Sequence, residues 1–438
     1  MNSEASEIRE VSPGYGFTAG KPALPVGYKQ TEVGVIPKDW DVLKFGSLAE
    51  IIRGKFSARP RNDPRFYGGN YPFLQTGDVT RSGSKISSFT QTLNEEGVKV
   101  SRLFPKGTLF FTIAANIGDI GISEFKAACP DSLVAISPDS TVDKVWLLYE
   151  LASRKEDFEA LASPGAQLNI NLEKLRPYLL PVPPLDEQLA IATALRDVDF
   201  LLEDLDRLIA KKRDIKQATM QQLLTGQTRL PGFEEEWKTI RLGDHVTFLK
   251  NGVNSRAELL GDGNVRYLHY GDIHASGTSV LNPDSLLFLP PNKAKMLSRL
   301  QDGDLIFADA SEDIDGVGKS VELINVARNE VVAGLHTIAA RFDSKVLADG
   351  FKAYLQFCPE FIEALRRLAA GTKVYATTRS HIAGIEMRLP DVDEQKAIST
   401  ILQDMDDEIK ALNQRRDKTD GIKQAMMQEL LTGKTRLL

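Results

Sequence analysis

Residues 186–230, DEQLAIATALRDVDFLLEDLDRLIAKKRDIKQATMQQLLTGQTRL, return at 393–437 as DEQKAISTILQDMDDEIKALNQRRDKTDGIKQAMMQELLTGKTRL, ungapped and with 24 of 45 positions identical. A period of roughly 200 residues is too long for a solenoid unit and signals a duplicated globular domain plus helix. Each block reads as one long amphipathic helix. In the first, Ile191, Val198, Leu205, Lys212 and Thr219 occupy one heptad position and Ala194, Leu201, Leu208, Ile215 and Gln222 the other, flanked by Leu195, Leu202, Ile209 and Leu223. The second gives Ile398, Met405, Leu412, Thr419 and Met426 with Ile401, Glu408, Arg415 and Ile422. Both seams degrade toward their C-terminal ends. Pro183-Pro184 before Asp186-Glu187, and Pro390 before Asp393-Glu394, put proline and acids where a helix start favours them, and Gly226 and Gly433 supply the stops.

A helix of about 39 residues spans about 58 Å and is not stable in isolation. Its economical partner is the other copy. The ends of the chain agree: Thr228-Arg229-Leu230 runs on into Pro231-Gly232-Phe233 and Trp237, whereas the second block stops at Leu438, and the missing continuation stands at the other end as Leu24-Pro25-Val26-Gly27-Tyr28 before Trp40. This cyclic order predicts an antiparallel coiled coil and a pseudo-twofold arrangement.

The regions before each helix share anchors. Trp40 and Phe45-Gly46 match Trp237 and Leu242-Gly243, YPFLQTGDVTRSG (71–83) matches VRYLHYGDIHASG (265–277), and KGTLFF (106–111) matches DGDLIF (302–307). Between them the halves scarcely agree. Short apolar runs punctuated by Gly, Pro and Asp read as mixed strands and turns, with one helix at about 143–162. The expected fold class is α+β: a loose tail at 1–24, a first domain at 25–182, a helix at 183–230, a second domain at 231–389 and a helix at 390–438.

With 438 residues and 42% hydrophobic content the chain can bury two cores. No apolar run reaches the length of a membrane span and the polar start MNSEASEIRE is unlike a signal peptide, so a cytoplasmic location is expected. Cys129 and Cys358, one in each half, fit reduced structural thiols. The net charge of -6 argues at first against a polyanionic ligand, yet residues 53–106 carry ten Lys/Arg against four Asp/Glu, while 186–206 carry seven acids and one Arg. Basic residues gather at the back of each helix, six against one acid in 207–229 and seven against three in 410–436, as the helix dipole favours.

Several strings imitate catalytic motifs and fail. Gly316-Val317-Gly318-Lys319-Ser320 needs a glycine where Asp313 stands, between Glu312 and Asp315, which would repel phosphate; Gly433-Lys434-Thr435 has Gln428 in the glycine's place. Glu394-Gln395-Lys396 mimics a nuclease's acid-x-Lys, but its twin Glu187-Gln188-Leu189 has no lysine, and helix capping accounts for both acids. All five histidines, His245, His269, His274, His336 and His381, fall in the second half, so no duplicated metal site or shared catalytic base is available.

Two dissimilar domains alternating with near-identical helices, PLDEQ and DVDEQ at the helix starts and QQLLTGQTRL and QELLTGKTRL at the ends, resemble the specificity subunit of type I restriction-modification systems. The resemblance covers nearly the whole chain after the tail. It implies a non-catalytic DNA reader whose domains each contact one half of an interrupted site, with the helices fixing the gap and docking two modification subunits. Those subunits carry S-adenosylmethionine and methylate a flipped adenine. Two motor-nuclease subunits using ATP and Mg would complete the complex, and no cofactor or metal is expected on this chain.

Base edges are read by Arg or Lys at guanine and Asn or Gln at adenine, and phosphate contacts position the protein. The candidates for such contacts are Lys55, Arg59, Arg61, Arg65, Gln75, Thr76, Arg81, Lys85 and Asn116 in the first domain. In the second they are Asn251, Asn254, Arg256, His269, Tyr270, His274, Lys293, Lys295, Lys373, Tyr375 and Arg379. The recurring Gly77-Asp78 and Gly271-Asp272 are read as turn geometry. Residues 237–390 hold 18 basic and 18 acidic residues, too little net charge for tight autonomous binding. Two other classes compete: a coiled-coil adaptor with two protein-binding heads, and a nuclease or methyltransferase with a degenerate site.

Overall fold

The computed structural model of the chain describes residues 24–162, 169–311, 316, 318–326, 329–368 and 375–437. Most of the tail at 1–24, Lys373, the side chain of Tyr375 and the acids Glu312, Asp313 and Asp315 lie outside the described residues. The chain divides into two compact units, and the division falls inside both long helices. One unit comprises the residues to Leu202 with those from Lys418 onward; the other is Glu203–Asp417.

The first unit is built on a five-stranded sheet in the order Ala49–Arg53, Leu133–Pro138, Leu109–Thr112, Ile120–Ser123, Lys85–Ile86, antiparallel except for the last pair. Its central strand is the run LFFT, buried at every position because both faces are covered, which is why it reads as continuous rather than alternating. The second unit repeats the design with Val246–Phe248, Thr337–Phe342, Leu305–Ala308, Ser320–Leu323 and Val280–Leu281, again with only the last pair parallel. A two-stranded ribbon joins the start and end of each domain, Asp41–Lys44 with Leu179–Val182 and Lys238–Arg241 with Glu386–Leu389. Each ribbon feeds a 39-residue helix, Leu185–Leu223 or Val392–Leu430.

The repeated motifs of the helix ends meet each other. In the first unit, Glu187 is buried and accepts from Trp40 Nε1 at 2.8 Å and from Arg436 Nε and Nη2 at 2.6 and 2.8 Å. In the second, buried Glu394 accepts from Trp237 Nε1 at 3.3 Å and from Arg229 Nε and Nη2 at 2.6 Å each. Gln188 and Gln395 hold the carbonyls of Pro183 and Pro390 with Nε2 and take the amides of Asp143 and Ala348 on Oε1. Capping therefore does not account for Glu187 and Glu394: each is the buried anchor for the arginine of a TRL terminus. Asp391 caps the second helix, accepting from the amides of Asp393 and Glu394. Gly226 and Gly433 both sit at φ +70, and a side chain at either would press on Trp237 or Trp40, so both the left-handed turn and the close approach demand glycine.

Of the two expected heptad positions, the one led by Ile191 and Leu205, and by Ile398 and Thr419 in the second copy, faces inward, whereas the other lies one residue further along in both copies. Ile191, Leu195, Leu202, Leu205 and Ile209 are buried, whereas Leu201, Leu208 and Ile215 are about 40% exposed. In the second helix Ile398 and Leu402 are buried and Ile422 is exposed. From position 191 the apolar residues permit a step of three or four; packing selects four, so the seam is 195, 202, 209 and 216. Its later positions are charged because they pair. Lys212 meets Glu408 at 2.7 Å, Lys216 meets Asp406 at 2.5 Å and Arg416 meets Asp206 at 3.2 Å in the second unit, and Lys423 meets Asp199 at 2.6 Å in the first. The acid-to-base gradient of each helix thus serves pairing as well as the dipole.

Two further expectations change. The segments QTGDV and HYGDI were read among strands and turns, but Thr76–Ser82 and Tyr270–Ala275 are short helices. The helix at 143–162 is two, Lys144–Ser153 and Lys155–Leu161, meeting at Arg154. Both cysteines are free and buried, and burial pushes the Cys358 thiol up to about 12. No helix among the described residues is long and apolar enough to cross a membrane.

Candidate nucleic-acid interface

In each unit a strand outside the five-stranded sheet, Tyr67–Pro72 or Val265–Leu268, leads into a short helix whose third residue is aspartate. Asp78 Oδ2 accepts from the Gln75 amide at 2.8 Å, and Asp272 Oδ2 accepts from the His269 amide at 2.9 Å, closing a capping box in both. The recurrent Gly-Asp is a helix start, and side chains just before it differ between the units. Gln75-Thr76 offers an amide and a hydroxyl where Tyr270 offers a phenol, the His269 imidazole beside it being buried. One scaffold carries two chemistries.

The first unit places its candidates in separate groups. Arg59 donates to the carbonyls of Phe56 and Ala58, Arg61 pairs with Asp131 at 2.8 Å, and Arg65 grips Asp63. The Arg65 guanidinium beside Asp63 holds that carboxyl below the usual carboxylate range. On the short helix, Arg81 pairs with Asp78 at 2.8 Å, Gln75 Nε2 donates to Gln91, and Asn116 Nδ2 donates to Thr80 Oγ1 at 3.2 Å. Lys85 lies over the ring of Phe200 on the long helix, 4.4 Å from its centroid. Lys55 is exposed and its ammonium has no partner among the described residues.

In the second unit the candidates converge. Tyr267 Oη donates to the Asn254 carbonyl and accepts the amides of Asn254 and Leu335, fastening the 251–258 loop to the turn before Thr337. Asn251 Nδ2 donates to the Gly334 carbonyl, and Arg379 Nη2 donates to Asn251 Oδ1 at 3.0 Å and to the Leu249 carbonyl. Arg256 pairs with Asp272 at 3.0 Å. Lys293 pairs with Glu258 at 2.5 Å; that ammonium, with the Ser255 amide, holds the Glu258 carboxyl down at about 2. Lys295 is exposed and unpaired among the described residues. Tyr375 belongs to a two-residue strand paired with Ala310–Ser311.

At the centre of this surface the half-exposed Tyr270 ring lies 4.5 Å from His269, 5.5 Å from His336 and 6.1 Å from His274, centroid to centroid. His269 is buried, accepts the Gly271 amide on Nδ1, and is held below the usual imidazole range by burial. His274 Nε2 faces the Ala310 carbonyl at 3.3 Å. His336, outside the sequence candidates, completes the group, as Gln91 and Thr80 do in the first unit. Nothing local in the sequence marks them, because each is recruited by contact with an element far along the chain.

Most candidate cations already hold a carboxylate or carbonyl of their own chain, and what faces outward is a set of oriented hydrogen-bonding groups. Such a surface suits discrimination among patterned donors and acceptors better than bulk attraction of a polyanion.

The description "Type I restriction modification DNA specificity domain" belongs to the family model that matches residues 37–212. A Methanocaldococcus jannaschii protein assigned as the specificity subunit of the type I restriction enzyme MjaX is 26% identical over 443 residues, covering 94% of this chain and 97% of that protein. The MjaVIII specificity subunit of the same organism is 25% identical over 419 residues, covering 92% and 94%. Among solved structures, the S subunit of a type I restriction-modification system from M. genitalium superposes with a TM-score of 0.54 at 17% identity, covering 89% of this chain and 96% of that one.

Proposed function

This chain belongs to the family of type I restriction-modification specificity subunits, non-catalytic recognition components, and from that premise we propose that each of its domains reads one half of a bipartite, interrupted DNA site. The observation that carries the proposal is the pair of identically ordered sheets, each with the same aspartate-capped helix, presenting Gln75-Thr76 in one case and Tyr270 in the other. Residues 25–182 and 231–389 are the two target-recognition domains. Their base and phosphate contacts come from the candidates named above, with His336, Gln91 and Thr80 added.

The two long helices pair as an antiparallel coiled coil and hold the half-sites at a set separation, giving the chain its pseudo-twofold, cyclic arrangement. In support, the ion partners of residues 206, 212 and 216 are 416, 408 and 406, one series rising as the other falls. Two modification subunits dock on this scaffold, and Leu185 and Leu189, 41% and 46% exposed on the first helix, are apolar surface suited to such a partner. S-adenosylmethionine, ATP and Mg reside on the modification and restriction subunits, two of each.

A selection from a randomised duplex pool on the chain assembled with its modification subunits tests the reading. Two short motifs at a fixed gap are expected, and exchange of residues 231–389 for those of a relative changes one motif only. Enrichment of no motif, or of one uninterrupted motif, overturns it. The isolated chain is expected to bind the selected duplex far more weakly than the assembly.

A further inference from the structure

His336 is set apart from the other two histidines around Tyr270 by how its nitrogens are used. His269 spends Nδ1 on its own helix start and His274 spends Nε2 on a carbonyl. His336 Nδ1 lies 3.1 Å from Asp309 Oδ1, the Asp309 amide donates back to the His336 carbonyl, and Nε2 has no partner among the described residues on a side chain 53% exposed. A carboxylate only accepts, so it fixes the proton on Nδ1 and leaves Nε2 as an acceptor while the ring is neutral. Protonation turns Nε2 into a donor. The residue is held at φ +56, a left-handed conformation uncommon outside glycine, and the Asn251 amide on Gly334 and the Tyr267 hydroxyl on Leu335 fasten the two residues before it.

We propose that His336 is a proton-switched contact of the second domain with duplex DNA, in which charged Nε2 donates to an acceptor on the duplex, a phosphate oxygen or the N7 or O6 edge of a purine. The charged groups on the surrounding elements are Asp309 beside the ring, the Asp272–Arg256 pair on the Tyr270 helix and the 251–258 loop, Arg379 on Asn251, and Lys319, whose ammonium donates to the His274 carbonyl. The inference rests on the DNA-reading function proposed above. It adds that only one half-site is read in a pH-dependent way, because residues 25–182 contain no histidine.

The test uses the chain assembled with its modification subunits and the duplex selected above. Affinity is expected to rise about tenfold from pH 8 to pH 6, the limit for one coupled proton being tenfold per pH unit. H336N, which suits the left-handed backbone, flattens the profile, whereas H245N leaves it unchanged. D309N, which keeps the ring but removes the negative charge beside it, weakens the dependence and serves if H336N does not fold. In parallel, diethyl pyrocarbonate modification is mapped by mass spectrometry on the unaltered assembly, and bound duplex is expected to shield His336. A phosphate contact lowers the salt dependence of binding in H336N by about one ion; a base contact relaxes preference at one position of one half-site. Retention of the pH profile in H336N, or an unshielded His336 under bound duplex, overturns the switch and leaves the bipartite reading intact. Shielding by unselected duplex with no motif enriched overturns the bipartite reading and supports the contact; neither motif nor shielding overturns both.

Discussion

The two units solve the same packing problem with different chemistry at equivalent positions. Where the first unit has the half-buried Ile122 on its sheet and the buried Leu147 on the covering helix, the second places Glu322 and Lys352, both almost fully buried and 4.0 Å apart. Glu322 also takes the amides of Gly350 and Ala353, and burial pushes its carboxyl up to about 7. The first unit keeps its own buried charge elsewhere. Glu150, at the position of Leu355, pairs with Arg154 at 3.0 Å and leaves Oε2 without a partner, and burial again pushes it to about 7. By contrast the Trp–Glu–Arg anchors at the helix ends are the same in both. The interiors of the two domains differ while their attachment to the helices is the same.

The largest expected effect breaks the difference directly. Lys352→Met removes the cation beside the Glu322 carboxyl and the partner of Asp349, and is expected to cost about 3–5 kcal/mol in chemical denaturation, whereas the double change to the first unit's pair, Glu322→Ile with Lys352→Leu, restores or exceeds the original stability. A double variant as weak as the single would show that the two interiors are not interchangeable.

Next is a pH effect. Glu150 is ordinarily half-protonated at 4.5 and in the fold at about 7, so the folded state binds the extra proton between those values. Its contribution is fully present below 4.5 and is lost as pH rises through 7, a change on the order of 3 kcal/mol. Glu150→Gln is expected to remove that decline from stability measured at pH 5 and pH 8, while a slope unchanged by the substitution would assign it to Glu322. On the first helix, Ile209→Ala is expected to cost about 2 kcal/mol and Leu208→Ala under about 0.5, which separates the packed register from its neighbour. The smallest contrast compares equivalent hydroxyls. Tyr149 donates to Asp199 at 2.6 Å and Tyr354 to Asp406 at 3.3 Å, so Tyr149→Phe should lower stability by about 1.5 kcal/mol and Tyr354→Phe by about 0.5.

The helices were legible because 39 residues of periodic pattern outweigh any local ambiguity, and the strands LFFT and LIFA because continuous apolar runs have few other uses. The seam was misjudged because Leu201, Leu208 and Ile215 offer as apolar a series as Leu195, Leu202 and Ile209; only the partner's side chains decide between them. The short helices were hidden because QTGDV and HYGDI contain glycine and β-branched residues, and the capping aspartate that stabilises them resembles a turn residue. For the candidate interface, residue type suggested which groups could meet DNA, but not that Asp131, Asp63, Asp78 and Asp272 already hold four of the arginines. Two of those pairings, Asp63–Arg65 and Asp78–Arg81, are local, but Arg61–Asp131 and Arg256–Asp272 join positions 70 and 16 residues apart, which no local pattern encodes.

One consequence of the divided helices concerns synthesis. The core of the first unit includes Leu430 and Leu431, and its anchor Glu187 waits for Arg436. A ribosome that has finished residues 25–202 has therefore made a body with an open flank around Trp40 and Ile191, which must stay unfilled while the next 215 residues, an entire second body, are translated. The first part begun is the last to close, and until it does the nascent protein depends on something else to shelter that flank.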